Sequence, residues 1–166
     1  EQLNRLFTGV VAIAVIAAVL GALKRTPRRN DLTVLSWWLV FGVLANAIIG
    51  GISVKVDLHP MWIQSHLLLS MFLIVMGTVL VRRAGEPDGV PAVRLVDPLT
   101  ERVVWVHFAL CCLAMFTGSI VTGAGPHAGD ETAERLSIAI PTAARIHGVT
   151  VMSAIALAVF LAWRSM

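Results

Sequence analysis

The chain has 166 residues, of which 57% are hydrophobic and only 14% are charged, and its mean hydropathy is +0.83. Soluble globular domains are far less apolar and disordered chains need a high charge density, so both classes are excluded. The net charge is +3, but the basic residues form no stripe with interleaved aromatic residues, which excludes nucleic-acid binding. A membrane protein in contact with the lipid bilayer is the class that remains.

Five stretches of the chain contain no Lys, Arg, Asp or Glu, and each is long enough to cross a bilayer core. They cover residues 6–23, 32–54, 58–81, 103–129 and 146–163. We therefore predict an all-α fold, a polytopic membrane bundle of five transmembrane helices.

The first residue is Glu1 rather than methionine, and no basic segment or small-residue cleavage site of a signal peptide accompanies the first span. We expect the chain to be a fragment of a longer protein. Glu1 and Asn4 are three residues apart and therefore share one helix face at the start of this span. The helix macrodipole alone favours a carboxylate at an N-terminus, so this pattern by itself assigns Glu1 no catalytic role.

The basic residues next to the spans predict the orientation of the protein in the membrane. Cytoplasmic connections of membrane proteins carry an excess of Lys and Arg. One side receives nine such residues: Lys24, Arg25, Arg28, Arg29, Arg82, Arg83, Arg94, Arg102 and Arg164. The opposite side receives only Arg5, Lys55, Arg135 and Arg145. We predict a multi-pass protein of the cell membrane with its N-terminus outside and its C-terminus in the cytoplasm.

The connection between the third and fourth spans is rich in proline, glycine and charge, as a solvated linker is. We therefore predict an N-terminal half-bundle of three helices over residues 1–83, a cytoplasmic linker over 84–102, and the start of a C-terminal half-bundle of two helices over 103–166.

The chain contains an internal repeat around two histidines. Pro60, His66 and Met71 recur as Pro141, His147 and Met152 at a constant offset of 81 residues. A proline at the first turn of each helix would place both histidines just inside the outer boundary of the hydrocarbon. Such a histidine can simply bond to a neighbouring helix, but repetition favours haem ligation, since imidazole is the usual axial ligand of haem iron. Quinone or metal binding stays open.

The other candidate residues carry weaker signals. His107 lies near the opposite, cytoplasmic end of its span, where an interfacial hydrogen bond is the simpler interpretation. His127 lies in a glycine-rich outer loop, where contact with a haem propionate and no contact at all are equally compatible with the pattern. Cys111 and Cys112 are adjacent in an apolar span and have no metal-ligand spacing, so we interpret them as small apolar side chains.

Four segments together resemble the haem A synthase family. Residues 1–6 are similar to its Glu-x-x-(His or Asn)-Arg helix start, and residues 50–66 to its Gly-Gly-x-(Thr or Ser)-Val segment followed by a histidine. Residues 122–130 resemble the outer loop of its actinobacterial members, and residues 144–147 its next histidine helix. The resemblance covers nearly the whole chain in the correct order.

The resemblance implies a fold of eight transmembrane helices in two pseudo-symmetric four-helix halves, of which this chain would hold the second to the sixth. It implies that His66 is a ligand of the substrate haem in the first half and that His147 is a ligand of haem b in the second. The repeat alone would allow both histidines to bind one iron, whereas the family implies a separate site in each half. It also implies that Glu1 is the catalytic carboxylate, and Asn4 stands where many members have a histidine.

The implied reaction oxidises a ring methyl group of haem O to a formyl group, with oxygen from water, and yields haem A for aa3-type cytochrome oxidase. Partners implied in the same way are haem O synthase and a cytochrome oxidase subunit, and a second copy of the chain is a further expected partner. The sequence leaves two alternatives open, a b-type haem electron-transfer module and a non-catalytic scaffold for oxidase assembly.

Overall fold

The computed structural model describes residues 2–89, 93–126 and 134–166, without the side chains of residues 4 and 5. Within these ranges the chain is all-helical, with no strand. It has five helices: α1 (Gln2–Lys24), α2 (Asn30–Lys55), α3 (Pro60–Ala84), α4 (Pro98–Ala124) and α5 (Ile140–Arg164). All five are long and apolar enough to cross a membrane. The predicted fold class and helix number are confirmed, whereas the eight-helix, two-half arrangement stays a prediction.

The helix starts follow from local sequence. Pro60 opens α3 and Pro141 lies in the first turn of α5, positions where the missing N–H of proline costs no hydrogen bond. Asp97 caps α4, because its carboxylate accepts from the backbone N–H groups of Leu99 at 3.0 Å and Thr100 at 3.2 Å. The predicted first-turn prolines of the repeat are therefore in place.

The limits of the predicted spans differ from those of the helices, most clearly in α4 and α5. The helix α5 begins at Ile140, although the charge-free stretch begins only at residue 146, because Arg145 lies within the helix. Similarly, α4 begins at Pro98 and includes Glu101 and Arg102. A charge-free stretch marks the part of a helix that must avoid charge in hydrocarbon, whereas the helix itself continues to where charged side chains are hydrated.

The burial pattern is inverted relative to that of a soluble protein. Large apolar side chains point outward, with Ile13 exposed at 69%, Val149 at 69% and Trp105 at 64%. Among the described residues, the buried polar ones are Ser36, Ser53, Gln64, Thr117, Ser119 and Thr150, and four of the seven buried hydrophobic ones are alanines. Close packing through small and hydroxyl-bearing residues is typical of helices that associate in lipid.

The chain divides into two compact units. Unit 1 comprises Glu1–Ile52 and Ser65–Pro91, and unit 2 comprises Ser53–Gln64 and Ala92–Met166. Most of α2 and α3 belongs to unit 1, whereas the last residues of α2 and the first residues of α3 belong to unit 2. The predicted limits 1–83, 84–102 and 103–166 stay a prediction.

In unit 1, two arginines bind the C-terminal end of α3. Arg25 donates to the carbonyl oxygen of Ala84 at 3.3 Å, and Arg29 donates to that of Arg83 at 3.3 Å. Both arginines also pair with Asp88, at 2.9 and 3.3 Å respectively. We call Arg25 and Arg29 the arginine clamp. It satisfies carbonyl groups that have no partner within the helix, and it ties the connection between α1 and α2 to the end of α3.

In unit 2, polar contacts join the helices at both ends. The buried Gln64 side chain near the start of α3 donates to the carbonyl oxygen of Ser119 in α4 at 2.9 Å. At the other end, Arg164 of α5 donates to Thr100 Oγ1 at 2.7 Å and pairs with the capping carboxylate of Asp97 at 3.1 Å. These contacts join the start of α4 to the end of α5.

Candidate functional site

The first repeated histidine, His66, is held by the backbone of the preceding helix. Its half-buried imidazole lies in the second turn of α3, and its Nδ1 is 3.0 Å from the carbonyl oxygen of Asn46 in α2. A carbonyl oxygen can only accept, so Nδ1 carries the proton and donates it. The lone pair of the neutral ring is then on Nε2, which has no hydrogen-bond partner among the described residues.

A glycine makes this approach possible. A Cβ atom added at Gly50 would lie 3.0 Å from Cε1 of His66 and 3.2 Å from its Nδ1. Ordinary contacts between carbon atoms are about 3.5–4.0 Å, so any side chain at this position would press on the ring. The adjacent Gly51 has nothing within 4 Å of its added Cβ, which shows that only one glycine of the pair is needed for the imidazole.

A short polar chain supports the same site. The Asn46 Nδ2 donates to Ser70 Oγ at 3.0 Å, and that hydroxyl donates to the carbonyl oxygen of His66 at 2.8 Å. Asn46 thus contacts α3 through both its main chain and its side chain. Its Oδ1 is buried and has no partner among the described residues. These bonds fix α2 and α3 in register around the imidazole.

The second repeated histidine, His147, is also anchored through Nδ1. This half-buried imidazole of α5 has its Nδ1 3.2 Å from Oγ1 of the buried Thr117 in α4. The Thr117 hydroxyl lies 2.9 Å from the carbonyl oxygen of Leu113 and 3.2 Å from that of Ala114. Here too Nε2 has no hydrogen-bond partner within the described part of the chain.

The glycine contact is repeated as well. A Cβ added at Gly118 would lie 2.9 Å from Cε1 of His147, 3.4 Å from Nδ1 and 3.5 Å from Nε2. Each unit therefore holds one imidazole against a glycine of the preceding helix, with Nδ1 anchored. Ligating histidines of metal proteins are oriented in this way, by a hydrogen bond from the ring nitrogen that does not bind the metal.

These residues fit haem ligation by the chemistry of the donor. An anchored Nδ1–H and an unengaged Nε2 are what an axial imidazole needs. Among the described residues, no group of three or more His, Cys, Asp or Glu side chains is placed to hold a metal ion. A haem iron needs no such group, since its protein ligands come singly or in pairs.

The remaining predicted residues are placed as follows. Glu1, His127 and the side chain of Asn4 lie outside what the structure describes, so their predicted roles stay predictions. His107 lies within α4, and its Nε2 is 3.5 Å from Sγ of Cys111, one helical turn away. Cys112 is exposed, and both cysteines are free thiols.

Several residues at the two sites carry no signal in the sequence. Thr117 and Asn46 contact the imidazoles only because of the register between neighbouring helices, which sequence spacing within one helix does not reveal. Gly50 and Gly118 do lie in the glycine-containing helix ends that precede the two histidine helices, so the repeat contains a hint of their role.

Five membrane-length helices with one anchored imidazole in each unit define the class of the protein, a multi-pass α-helical membrane protein. Residues 1–129 match the COX15-CtaA family, described as cytochrome oxidase assembly protein, and the chain belongs to that family. The predicted family is confirmed. The match contains His66 and ends before His147. No curated protein and no solved structure matches the chain.

Proposed function

We propose that the protein carries out the haem A synthase reaction, the oxidation of a ring methyl group of haem O to a formyl group, for the assembly of aa3-type cytochrome oxidase. The observation that carries the proposal is the His66 site, where a carbonyl oxygen holds Nδ1 and Nε2 has no hydrogen-bond partner among the described residues. Membership of the cytochrome oxidase assembly family supports it, because the family match includes this histidine.

In this proposal His66 would bind the iron of the substrate haem through Nε2. His147 holds the resident haem b in the same manner. When bound, haem b supplies one-electron transfer. Asn4 stands where many members of the family have a histidine, so His66 would be the imidazole ligand of the substrate haem in this part of the chain.

The methyl group is oxidised twice. The first oxidation takes an oxygen atom from water to form an alcohol, and the second removes two hydrogens from the alcohol to form the aldehyde. Each step releases two electrons and two protons, and the electrons must be taken up by an electron acceptor outside the chain. Glu1 is the proposed catalytic carboxylate: it accepts protons, and a carboxylate also stabilises positive charge that develops during the oxidation. In the same proposal His127 contacts a haem propionate.

The proposed setting is the cell membrane, with the N-terminus outside, the C-terminus in the cytoplasm and both imidazoles near the outer surface. The distribution of basic residues supports this orientation, since the arginine clamp and Arg83 lie together at one end of unit 1. Haem O synthase and a cytochrome oxidase subunit are the proposed partners, and haem b the proposed cofactor.

The test is chromatographic identification of haem extracted from the full chain, purified from cells that make haem O. His66→Ala is expected to lose bound haem O and haem A, whereas His107→Ala, a histidine within α4 bonded to Cys111, is expected to keep them. Haem B alone, unaffected by His66→Ala, would indicate an electron-transfer module. A complete absence of haem in every variant would indicate a scaffold and refute the synthase proposal.

A further inference from the structure

The two anchored imidazoles differ at one position. When Gly50 is aligned with Gly118, the carbonyl of Asn46 corresponds to that of Ala114. His66 donates directly to the Asn46 carbonyl at 3.0 Å. In unit 2 the Thr117 hydroxyl lies between His147 and the corresponding carbonyl, at 3.2 Å from both. The residue of α2 that corresponds to Thr117 is Ile49, which has no hydroxyl group.

The single proton of the Thr117 hydroxyl determines the direction of this bond. Two carbonyl oxygens, those of Leu113 and Ala114, lie within 3.2 Å of Oγ1, and neither can donate. If the hydroxyl donated to His147, its lone pairs would face two carbonyl oxygens at hydrogen-bond distance, which is repulsive. The hydroxyl therefore donates to the backbone and accepts from Nδ1–H of His147.

We propose that Thr117 is a positioning residue for His147: its hydroxyl holds the imidazole in the Nδ1–H tautomer and directs the Nε2 lone pair to a haem iron. The identity of the ligand rests on the proposed function, whereas the tautomer rests on the bonds of Thr117 alone. Partners of this kind fix ring orientation, and their loss typically weakens metal binding by about 10- to 100-fold.

The direct test is nitrogen NMR of the full chain in detergent micelles, with 15N-labelled histidine and the imidazoles neutral. A His147→Gln variant identifies the signals of His147 among the five histidines. The wild type is expected to show the Nδ1–H tautomer at His147. Thr117→Val, which keeps the shape and removes the hydroxyl, is expected to lose this preference, and Thr117→Ser is expected to retain it.

Thr150→Val is the matched control. Thr150 and Thr117 are both 7% exposed, and the Thr150 hydroxyl donates to the carbonyl oxygen of Ile146 in its own helix at 2.8 Å. It has no bond to an imidazole, so its loss is expected to leave the tautomer of His147 unchanged. An unchanged tautomer in Thr117→Val, or an equal change in Thr150→Val, would overturn the proposal.

A haem titration of the same variants separates this inference from the proposed function. Weaker binding in Thr117→Val, by about 10- to 100-fold, with recovery in Thr117→Ser supports both. If the tautomer shifts as expected but the wild type binds no haem, the tautomer assignment is supported and the haem function is refuted. If haem binds equally well to Thr117→Val and the wild type, the positioning role is refuted and the haem function stands.

Discussion

Gly118→Ala tests whether the second imidazole needs a glycine beside it. The added Cβ would lie 2.9 Å from Cε1 of His147, and an ordinary carbon contact is about 3.5–4.0 Å, so the ring must move by roughly 0.6 Å or more. Cε1 lies between the two ring nitrogens, so this shift displaces Nε2 as well as Nδ1. A displacement of this size exceeds the range of about 0.2 Å within which the metal–ligand distances of a well-formed site are expected to fall.

The expected loss follows from the cost of restoring the ligating geometry. Overpacking of one methyl group costs about 1–3 kcal/mol. If this cost is met on haem binding, the affinity falls by about 5- to 150-fold. The higher helix propensity of alanine does not affect this estimate, because it acts equally on the haem-free and the haem-bound protein.

The assay is a spectroscopic haem titration of the purified full chain, with Gly148→Ala as the control. Gly148 lies in α5 next to His147 in sequence, and its added Cβ has nothing within 4 Å. Its affinity for haem is expected to match that of the wild type. Tight binding by Gly118→Ala, or equal loss in both variants, would refute the steric reasoning.

Three further predictions concern other parts of the chain. In the first unit, Gly50→Ala is expected to weaken haem binding, because its Cβ would lie 3.0 Å from the imidazole, while Gly51→Ala is neutral; equal affinities would contradict this. Arg29→Lys is expected to lower the thermal midpoint measured by circular dichroism more than Arg28→Lys does, because the exposed Arg28 is not part of the arginine clamp. Equal shifts would show that the planar guanidinium group of Arg29 is not needed for stability. Hydrogen bonds from the hydroxyl and the backbone N–H of Thr100, and from Arg164, hold the pKa of the Asp97 carboxyl well below its usual range. The charged Asp97 carboxylate therefore contributes its full stabilisation above about pH 4, and this stabilisation is lost as the pH falls further. The difference in thermal midpoint between the wild type and Asp97→Asn should shrink on acidification. A difference that stays constant would disprove the role of the charge.

The helices and the histidine repeat could be predicted because their causes act along the sequence. Hydrocarbon excludes charge from every residue of a span, and proline restricts the first turn wherever it occurs. The equivalent positions of His66 and His147, near the starts of their helices, then follow from the spacing of the repeat alone. The helix ends could not be derived in this way, because Arg145 belongs to α5 but not to its charge-free stretch.

The partners of the imidazoles could not be predicted because they depend on how neighbouring helices pack. Every residue has a backbone carbonyl, so nothing in the sequence distinguishes that of Asn46. Thr117 is one of several hydroxyl-bearing residues in α4, and only the interhelical register brings it, rather than Ser119 or Thr122, to within 3.2 Å of His147 Nδ1.

In the proposed membrane orientation, the two side chains of the arginine clamp would have two separate roles. The rule that orients membrane segments counts positive charge, and lysine would serve it equally well. The folded protein instead uses the planar fork of Arg29, which reaches Asp88 and the carbonyl oxygen of Arg83 at once. Replacing Arg29 by lysine therefore keeps the positive charge that the orientation rule counts, but removes the simultaneous hydrogen bonds that hold the end of α3. This one variant separates an effect on membrane topology from an effect on helix packing.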